Sequence, residues 1–323
     1  MNILVTSKSF GRVDPSAGLL LEQKGFHIEY LKAPTVTSAL IASHIKGIDC
    51  LIVGNDPVGP GVFEAADRLK LVHMHGSGLD GIDVESATSH GVLVSNVTGV
   101  NKNAVAELTL ALMLTVGRRI DKHIELLKQG RWERTAGHEV SSKTVGIIGL
   151  GNIGRRLVEL LRGFDVKVIG YDPYADTAWA REHGILIAED SDEVFRHADF
   201  LVLSVPLTSE TEHIVCARTL SLMKSSAYLI NTARGGLVDE DALTEAVKAG
   251  RIAGAAIDAY RQEPPSNDSP LRSADIVMTP HIAATSYETS SSVSMIVAKQ
   301  VIEILLEGKR EMAVNYKEVA ALV

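Results

Sequence analysis

The sequence predicts an α/β protein built of two doubly wound, parallel-sheet domains. Short apolar runs alternate with amphipathic helical stretches along most of the chain, the pattern of parallel strands joined by helical crossovers. A glycine-rich turn, Gly149-x-Gly151-x-x-Gly154, falls where a strand period gives way to a helix period. The length of 323 residues, 46% of them hydrophobic, is enough for two sizeable cores.

The first domain begins with the strand Ile3 to Val5. A helix near Ala17 to Lys24, the strand His27 to Leu31, a helix around Val36 to His44 and the strand Cys50 to Gly54 follow. A short helix at Val62 to Leu69 then leads to the strand Leu71 to His75, a helix near Val84 to Ser89 and the strand Val92 to Ser95. Two turns punctuate the series, Asn55-Asp56-Pro57 and Gly76-Ser77-Gly78-Leu79-Asp80-Gly81. From Asn101 a long amphipathic stretch carries Val105, Leu108, Leu112 and Leu114 and predicts a substantial helix. Arg118 and Arg119 at its end suit the negative pole of the helix. Gly130 to Ser142 is a linker.

The second domain opens on Thr144 to Asp172. Val145 to Gly149 is a buried strand, and Leu157, Leu160 and Leu161 mark the apolar face of the helix beyond the glycines. Gly149 permits a tight turn, Gly151 leaves no side chain between backbone and a diphosphate, and Gly154 lets helix and strand pack closely. The diphosphate would then sit on the helix N-terminus. A second strand, Val166 to Gly170, delivers Asp172, which lies 18 residues after Gly154 (172 − 154). Its carboxylate is placed for the adenosine ribose hydroxyls and repels a 2′-phosphate, so NAD is the expected cofactor. Later strands at Phe200 to Ser204, Ala227 to Asn231, Gly254 to Asp258 and Ile276 to Thr279 each run into a polar loop. Thr285 to Leu306 reads as a helix with Val293, Ile296, Val297 and Val301 on one face. Its periodicity leaves open which sheet it covers.

Composition narrows the function. A formal net charge of −8 without a long basic run argues against nucleic acid as a partner. No apolar run approaches the roughly 20 residues that span a bilayer. The N-terminus lacks the charged segment of a signal peptide. Cys50 and Cys216 are far apart, show no metal-ligand spacing and read as reduced core thiols, so a cytoplasmic protein without a metal site is expected.

Four polar residues sit at or after strand ends: Arg234, Asp258, Glu263 and His281. Singly, an ion-pair partner, a turn cap and a satisfied structural histidine explain them. Beside a nicotinamide they gain a joint meaning, since oxidising a 2-hydroxy acid needs a base, a cation for the carboxylate and a hydride acceptor. His281 serves as base, Glu263 orients its ring and raises its pKa, and Arg234 holds the carboxylate. The amides of Gly76, Ser77 and Gly78 form an anion nest for the same carboxylate.

These residues lie in runs that resemble the D-isomer-specific 2-hydroxyacid dehydrogenase family, and within it the phosphoglycerate dehydrogenase-like branch. The runs are HGSGLDGID, NAVAEL, GRW, GIIGLGNIG, YDPY, NTARGGLVDE, GAAIDAYRQEPP and TPHIA, in the family's order from about residue 70 to 284. The resemblance implies a Rossmann NAD-binding domain, residues 100–282, inserted into a flavodoxin-like substrate domain, residues 1–99 and 283–323. It carries catalytic roles onto Arg234, Glu263 and His281. It carries cofactor contacts onto Ser77, Asn152, Ile153, Asp172, Val205, Thr232, Ala233, Asp258 and Ala284. It also implies a homodimer through the nucleotide domain and closure of the two domains over a small 2-hydroxy or 2-keto acid.

The sequence departs from the family pattern in places. Phosphoglycerate-specific members commonly carry an Arg in the loop after the third strand, where this chain has Gly54-Asn55-Asp56. Lys102 is a replacement cation or simply a solvated lysine at a helix start. The family's usual His before x-Pro is Ser204, and the usual glycine pair after the catalytic His-x is Ala283-Ala284. The chain ends at Val323, so a serine-binding regulatory domain is not expected. The expected activity is NAD-dependent oxidation or reduction at C2 of 3-phosphoglycerate or of glycerate and hydroxypyruvate. The alternatives are an NADPH-preferring glyoxylate/hydroxypyruvate reductase, which Asp172 disfavours, and an NAD(H)-sensing protein like the family's corepressors.

Overall fold

The computed structural model describes residues 1–322. It divides into two compact units, one formed by Met1–Asn101 and the chain from Thr285 onward, the other by Lys102–Ala284.

In the first unit β1 (Asn2–Val5), β2 (His27–Tyr30), β3 (Cys50–Val53), β4 (Leu71–Met74) and β5 (Leu93–Ser95) alternate with α1 (Ser16–Gln23), α2 (Ser38–His44), α3 (Pro60–Ala65) and α4 (Val84–Ser89). All strands pair in parallel in the order β2-β1-β3-β4-β5, the doubly wound order of flavodoxin-like sheets. Each strand feeds two cores because successive side chains point to opposite faces. Ile3, Val5, Cys50, Ile52 and Leu71 enter one core, and Leu4, Leu51, Val53 and Val72 enter the other. Thr37 caps α2, accepting from the amide of Leu40 at 3.2 Å, so the helix starts at Ser38 and not at Val36. Pro60 starts α3, and the chain is already extended at Ala66, which ends that helix before the expected Leu69.

The second unit holds α5 (Lys102–Arg118), α6 (Ile120–Lys128), β6 (Thr144–Ile148), α7 (Asn152–Leu161), β7 (Lys167–Tyr171), α8 (Thr177–Glu182) and β8 (Leu186–Ile187). Then come α9 (Ser191–His197), β9 (Phe200–Leu203), α10 (Ala217–Leu222), β10 (Tyr228–Asn231), α11 (Glu240–Lys248), β11 (Gly254–Ile257) and β12 (Ile276–Met278). The seven strands are parallel in the order β12-β11-β10-β9-β6-β7-β8. Read from the other edge this is the Rossmann order with one strand added, and it reverses direction between β6 and β9. One face carries Ile148, Leu201, Leu203 and Leu229. The other carries Val145, Ile147, Phe200 and Ile230, where α5 and α7 pack. Arg119, in the left-handed region at φ 52°, separates α5 from α6.

After the second unit the chain returns to the first. There α12 (Tyr287–Leu305) and α13 (Tyr316–Ala320) complete the unit. Val293, Val297 and Val301 of α12 enter the core of Ile3 and Leu71, which answers which sheet this helix covers. Buried Asn315 joins the returning segment to the sheet. It accepts from the amide of Val94 at 2.8 Å and donates to Thr88 Oγ1 at 2.8 Å and the Val92 carbonyl at 3.0 Å.

The two cysteines differ. Cys50 is wholly buried, and burial pushes its thiol up. Cys216 is a half-buried cap at the start of α10 and not the expected core thiol, because its sulfur faces Thr219 at the helix N-terminus. Both are free thiols. Among the described residues no helix is long and apolar enough to cross a membrane, and no group of His, Cys, Asp and Glu could hold a metal ion.

Asn315→Ala should lower the unfolding free energy by about 1–3 kcal/mol, since it strands the buried amide of Val94. Urea denaturation followed by circular dichroism measures this.

Candidate active site

Open α/β sheets hold ligands beyond the carboxyl ends of their strands, at the point where strand order reverses. In the second unit that point lies between β6 and β9. Gly149 there has φ +99°, and a Cβ on it would lie 2.4 Å from the Ser204 carbonyl oxygen. A Cβ on Gly154 would lie 2.2 Å from the carbonyl of Gly149. A Cβ on Gly151, by contrast, would point into open space, and no side chain caps α7. The start of this ten-residue helix is therefore open to an anion, with Asn152 and Ile153 as its first two residues.

Asp172 follows β7. Its Oδ2 accepts from the amide of Leu150 at 2.8 Å and its Oδ1 from the amide of Tyr174 at 2.8 Å. Each oxygen keeps acceptor capacity, so a fixed carboxylate stands beside the glycine turn. The open helix start and the anchored acid fit the diphosphate and ribose of NAD and oppose a 2′-phosphate.

Further carboxyl ends bring the other polar residues together. After β10, Asn231 folds its own loop: its Oδ1 accepts from the amide of Ala233 at 3.0 Å and its Nδ2 donates to the Arg234 carbonyl at 2.9 Å. Thr232 is held by Thr109 of α5, with 2.7 Å between the hydroxyls. Arg234 Nη1 donates to the Ala233 carbonyl at 2.9 Å. The next residue, Gly235, rests on the loop after β11, where a Cβ would lie 1.9 Å from the Tyr260 carbonyl carbon.

Asp258, at the end of β11, is wholly buried. Its Oδ1 accepts from Thr279 Oγ1 at 2.6 Å and the amide of Ile282 at 2.9 Å, and its Oδ2 accepts from the amide of Ala283 at 2.8 Å. The carboxylate thus anchors both sides of His281, whose backbone is left-handed at φ 50°. Tyr260 supports the same loop from below, donating from its hydroxyl to the Thr279 carbonyl at 2.7 Å.

His281 Nδ1 lies 2.7 and 2.8 Å from the two carboxylate oxygens of Glu263, and each side chain is 28% exposed. This geometry makes Nδ1 the donor and turns Nε2 away from the carboxylate. Hydrogen bonding to Glu263 raises the His281 pKa, against the effects of burial and of the Arg234 charge. Burial pushes Glu263 up, but the hydrogen bond and charge of His281, the Tyr260 amide and Arg234 together hold its carboxyl below the usual range.

Val205, half-buried, follows β9, and Ala284 ends the second unit. Gly76, Ser77 and Gly78 belong to the first unit, in the loop after β4, where Asn96 Nδ2 donates to the Ser77 carbonyl at 2.7 Å. Lys102 is an exposed first residue of α5. Asn231 and Tyr260 were not singled out in the sequence. An Asn closing a strand just before a glycine-rich loop is the signal that identifies the first.

The pair's contribution to stability has a definite window. The raised histidine contributes fully below 6.5, its ordinary value, and the depressed carboxyl fully above 4.5. It should fade as pH falls through the Glu263 value or rises through that of His281. Proton NMR should show His281 titrating above 6.5, and lower in Glu263→Gln than in wild type.

Known proteins resemble this chain along most of its length. Residues 110–283 match the family model described as D-isomer specific 2-hydroxyacid dehydrogenase, NAD binding domain. The D-3-phosphoglycerate dehydrogenase of Methanocaldococcus jannaschii is 40% identical over 300 residues, covering 92% of this chain and 56% of that protein. A second such enzyme, from Archaeoglobus fulgidus, is covered to 46%, so the chain spans about half the length of these relatives. The glyoxylate reductase of Thermococcus litoralis is 34% identical, covering 89% of this chain and 90% of that protein. The NAD-dependent formate dehydrogenase of Staphylococcus aureus, solved in complex with NAD, superposes with a TM-score of 0.84 at 27% identity, covering 95% of this chain and 96% of that one. The chain belongs to the D-isomer specific 2-hydroxyacid dehydrogenase family.

Proposed function

We propose that this protein is an NAD-dependent D-2-hydroxyacid dehydrogenase acting on a small 2-hydroxy or 2-keto acid. The observation that carries the reading is the His281–Glu263 pair, 2.7 Å apart, under the influence of the Arg234 charge and at the strand ends of a sheet that fits NAD. NAD supplies the hydride acceptor or donor. His281 Nε2 takes the proton from the C2 hydroxyl in oxidation and returns it to the carbonyl oxygen in reduction. Glu263 fixes the tautomer and stabilises the imidazolium. Arg234 binds the substrate carboxylate through its planar fork of donors. Asp258 acts as a positioning residue, since its oxygens are engaged by the His281 loop.

The side chain of the substrate is small. The loop after β3 offers Gly54 and Asp56, and the Asp56 carboxylate accepts from Thr6 at 2.7 Å, so this loop supplies negative charge where phosphoglycerate-specific relatives carry Arg. Hydroxypyruvate and glyoxylate are therefore the expected substrates in place of a phosphorylated acid, in line with the T. litoralis glyoxylate reductase matching along nearly its whole length.

The second unit also presents an unpartnered apolar face, which we infer is covered by a second copy of the chain. Helix α6 has no buried residue, and Ile120, Ile124 and Leu127, on one side of it, are 42, 50 and 58% exposed. Trp132, just beyond, is 80% exposed.

NADH oxidation with hydroxypyruvate, glyoxylate and 3-phosphohydroxypyruvate, repeated with NADPH, tests the activity. Turnover with NADH on the first two is expected; silence on all three overturns the reading. His281→Ala should cut kcat by about 10²–10⁴-fold with NADH binding nearly unchanged, and wild-type turnover would remove His281 from the mechanism. Arg234→Gln should lower kcat/KM by about 100-fold, through the lost charge-assisted bonds. In light scattering, Ile124→Asp with Leu127→Asp should convert a dimer to a monomer; a wild-type protein already monomeric would refute the pairing.

A further inference from the structure

One histidine of the first unit has no part in the chemistry above. His75 follows β4, directly before the Gly76-Ser77-Gly78 turn. Its Nδ1 is 3.0 Å from Ser9 Oγ, in the loop after β1, and its Nε2 is 2.9 Å from Ser294 Oγ, on α12. Phe10 closes one side, its ring nearly perpendicular to the imidazole at 5.7 Å. Ser9 Oγ is in turn 3.2 Å from the hydroxyl of Ser7. Ser7 and Ser294, the two ends of this chain, are 5 and 2% exposed, so its hydrogen bonds are not exchanged for water.

One carbonyl sets the direction of every proton in the chain. Ser294 Oγ lies 2.7 Å from the Ser290 carbonyl, which only accepts, so the hydroxyl spends its single proton there. Ser294 therefore accepts from the ring, and Nε2 is the donor. Burial, reinforced by the nearby His73, pushes the His75 pKa down to about 4 and keeps the ring neutral. Nδ1 is then an acceptor. Ser9 donates to it, and Ser7 donates to Ser9. The imidazole is thus held in one tautomer, with its two nitrogens tied to two different elements.

The turn beside His75 is anchored elsewhere only through its carbonyl side. The Gly76 carbonyl accepts from the amide of Val97 at 2.8 Å, and the Ser77 carbonyl accepts from Asn96 Nδ2 at 2.7 Å. Among the described residues no oxygen accepts from the amides of Gly76, Ser77 or Gly78. Successive free donors of this kind form an anion nest, and a nest works only if its amides keep their aim.

We propose that His75 is a positioning residue for substrate binding: the chain from Ser7 through Ser9 and His75 to Ser294 holds the Gly76-Ser77-Gly78 turn so that its amides meet the substrate carboxylate. The proposal rests on the dehydrogenase reading in taking this turn as the carboxylate nest. His75 acts through the turn and leaves hydride transfer to His281.

Steady-state kinetics with NADH and hydroxypyruvate test it. His75→Phe keeps a ring beside Phe10 and removes both hydrogen bonds, so KM for the keto acid should rise about tenfold while kcat and KM for NADH stay within about twofold. His75→Gln, whose amide both donates and accepts, should recover most of that loss. Ser9→Ala removes the donor to Nδ1 and should raise the same KM by about threefold, which keeps the test if His75→Phe does not fold. Circular dichroism checks the fold of each variant. In nitrogen-15 NMR, wild-type His75 should show the neutral Nε2–H pattern, and Ser294→Ala should shift it toward Nδ1–H. An unchanged KM in the folded variants, a kcat loss as large as the KM gain, or an Nδ1–H pattern in wild type would overturn the proposal. Calorimetry with oxamate, an unreactive keto-acid analogue, on the NADH-loaded protein separates this proposal from the activity. Silence on every keto acid with oxamate binding that His75→Phe weakens about tenfold would sink the dehydrogenase reading and leave the positioning role standing. Oxamate affinity indifferent to His75, or no binding to wild type, would sink the positioning role.

Discussion

The nucleotide half of this protein depends on one close approach. The backbone at Gly149 runs against the Ser204 carbonyl so tightly that an added Cβ would sit 2.4 Å away. Gly154 meets Gly149 under the same constraint, at 2.2 Å. Because no side chain intervenes, β6, β9 and the start of α7 converge on one point. That convergence leaves the helix amides open beside the Asp172 carboxylate. A substitution at Gly149 would both strain a positive φ and push the strands apart, so fold and cofactor site fail together.

The His281–Glu263 pair depends on a second constraint, the buried carboxylate of Asp258. Burying an ionised group is costly unless hydrogen bonds replace its water, and three donors do so here. All three come from Thr279, Ile282 and Ala283, so the same bonds that satisfy Asp258 fix the loop carrying His281. Tyr260 and Gly235 close the assembly from the neighbouring loops. The His281 ring therefore meets Glu263 on a framework of short backbone contacts, which is the preorganisation that the proposed proton transfer needs.

Much of this was legible in the sequence because buried parallel strands are dense in apolar residues. The runs at Cys50 to Val53 and Phe200 to Leu203 stand out, and every residue in them is buried. The two-residue strand β8 is too short to show a period. Helix α6 has a period but no buried residue, so its apolar face marks an unpartnered surface and no core position. Periodicity also shows that α12 has an apolar face without showing which sheet receives it. In the site, the sequence places Arg234, Glu263 and His281 in strand-end loops, and the structure pairs His281 with Glu263. Asp258 is visible as an acid at a strand end, but its partners are a hydroxyl and two backbone amides 21, 24 and 25 residues away, which no local pattern reports. Cys216 was misplaced because a cysteine in a helix cap and one in a core have the same local sequence signal.

The most direct measurement is the pH dependence of kcat/KM for keto-acid reduction, in wild type and in Glu263→Gln. If His281 is the acid, the rate falls as its proton is lost, and Glu263 holds that loss above the ordinary histidine value of 6.5. The account predicts a descending limb above that value in wild type and at lower pH in the variant. The same limb at the same pH in both proteins would contradict it, because the titrating group would not then be a histidine coupled to Glu263.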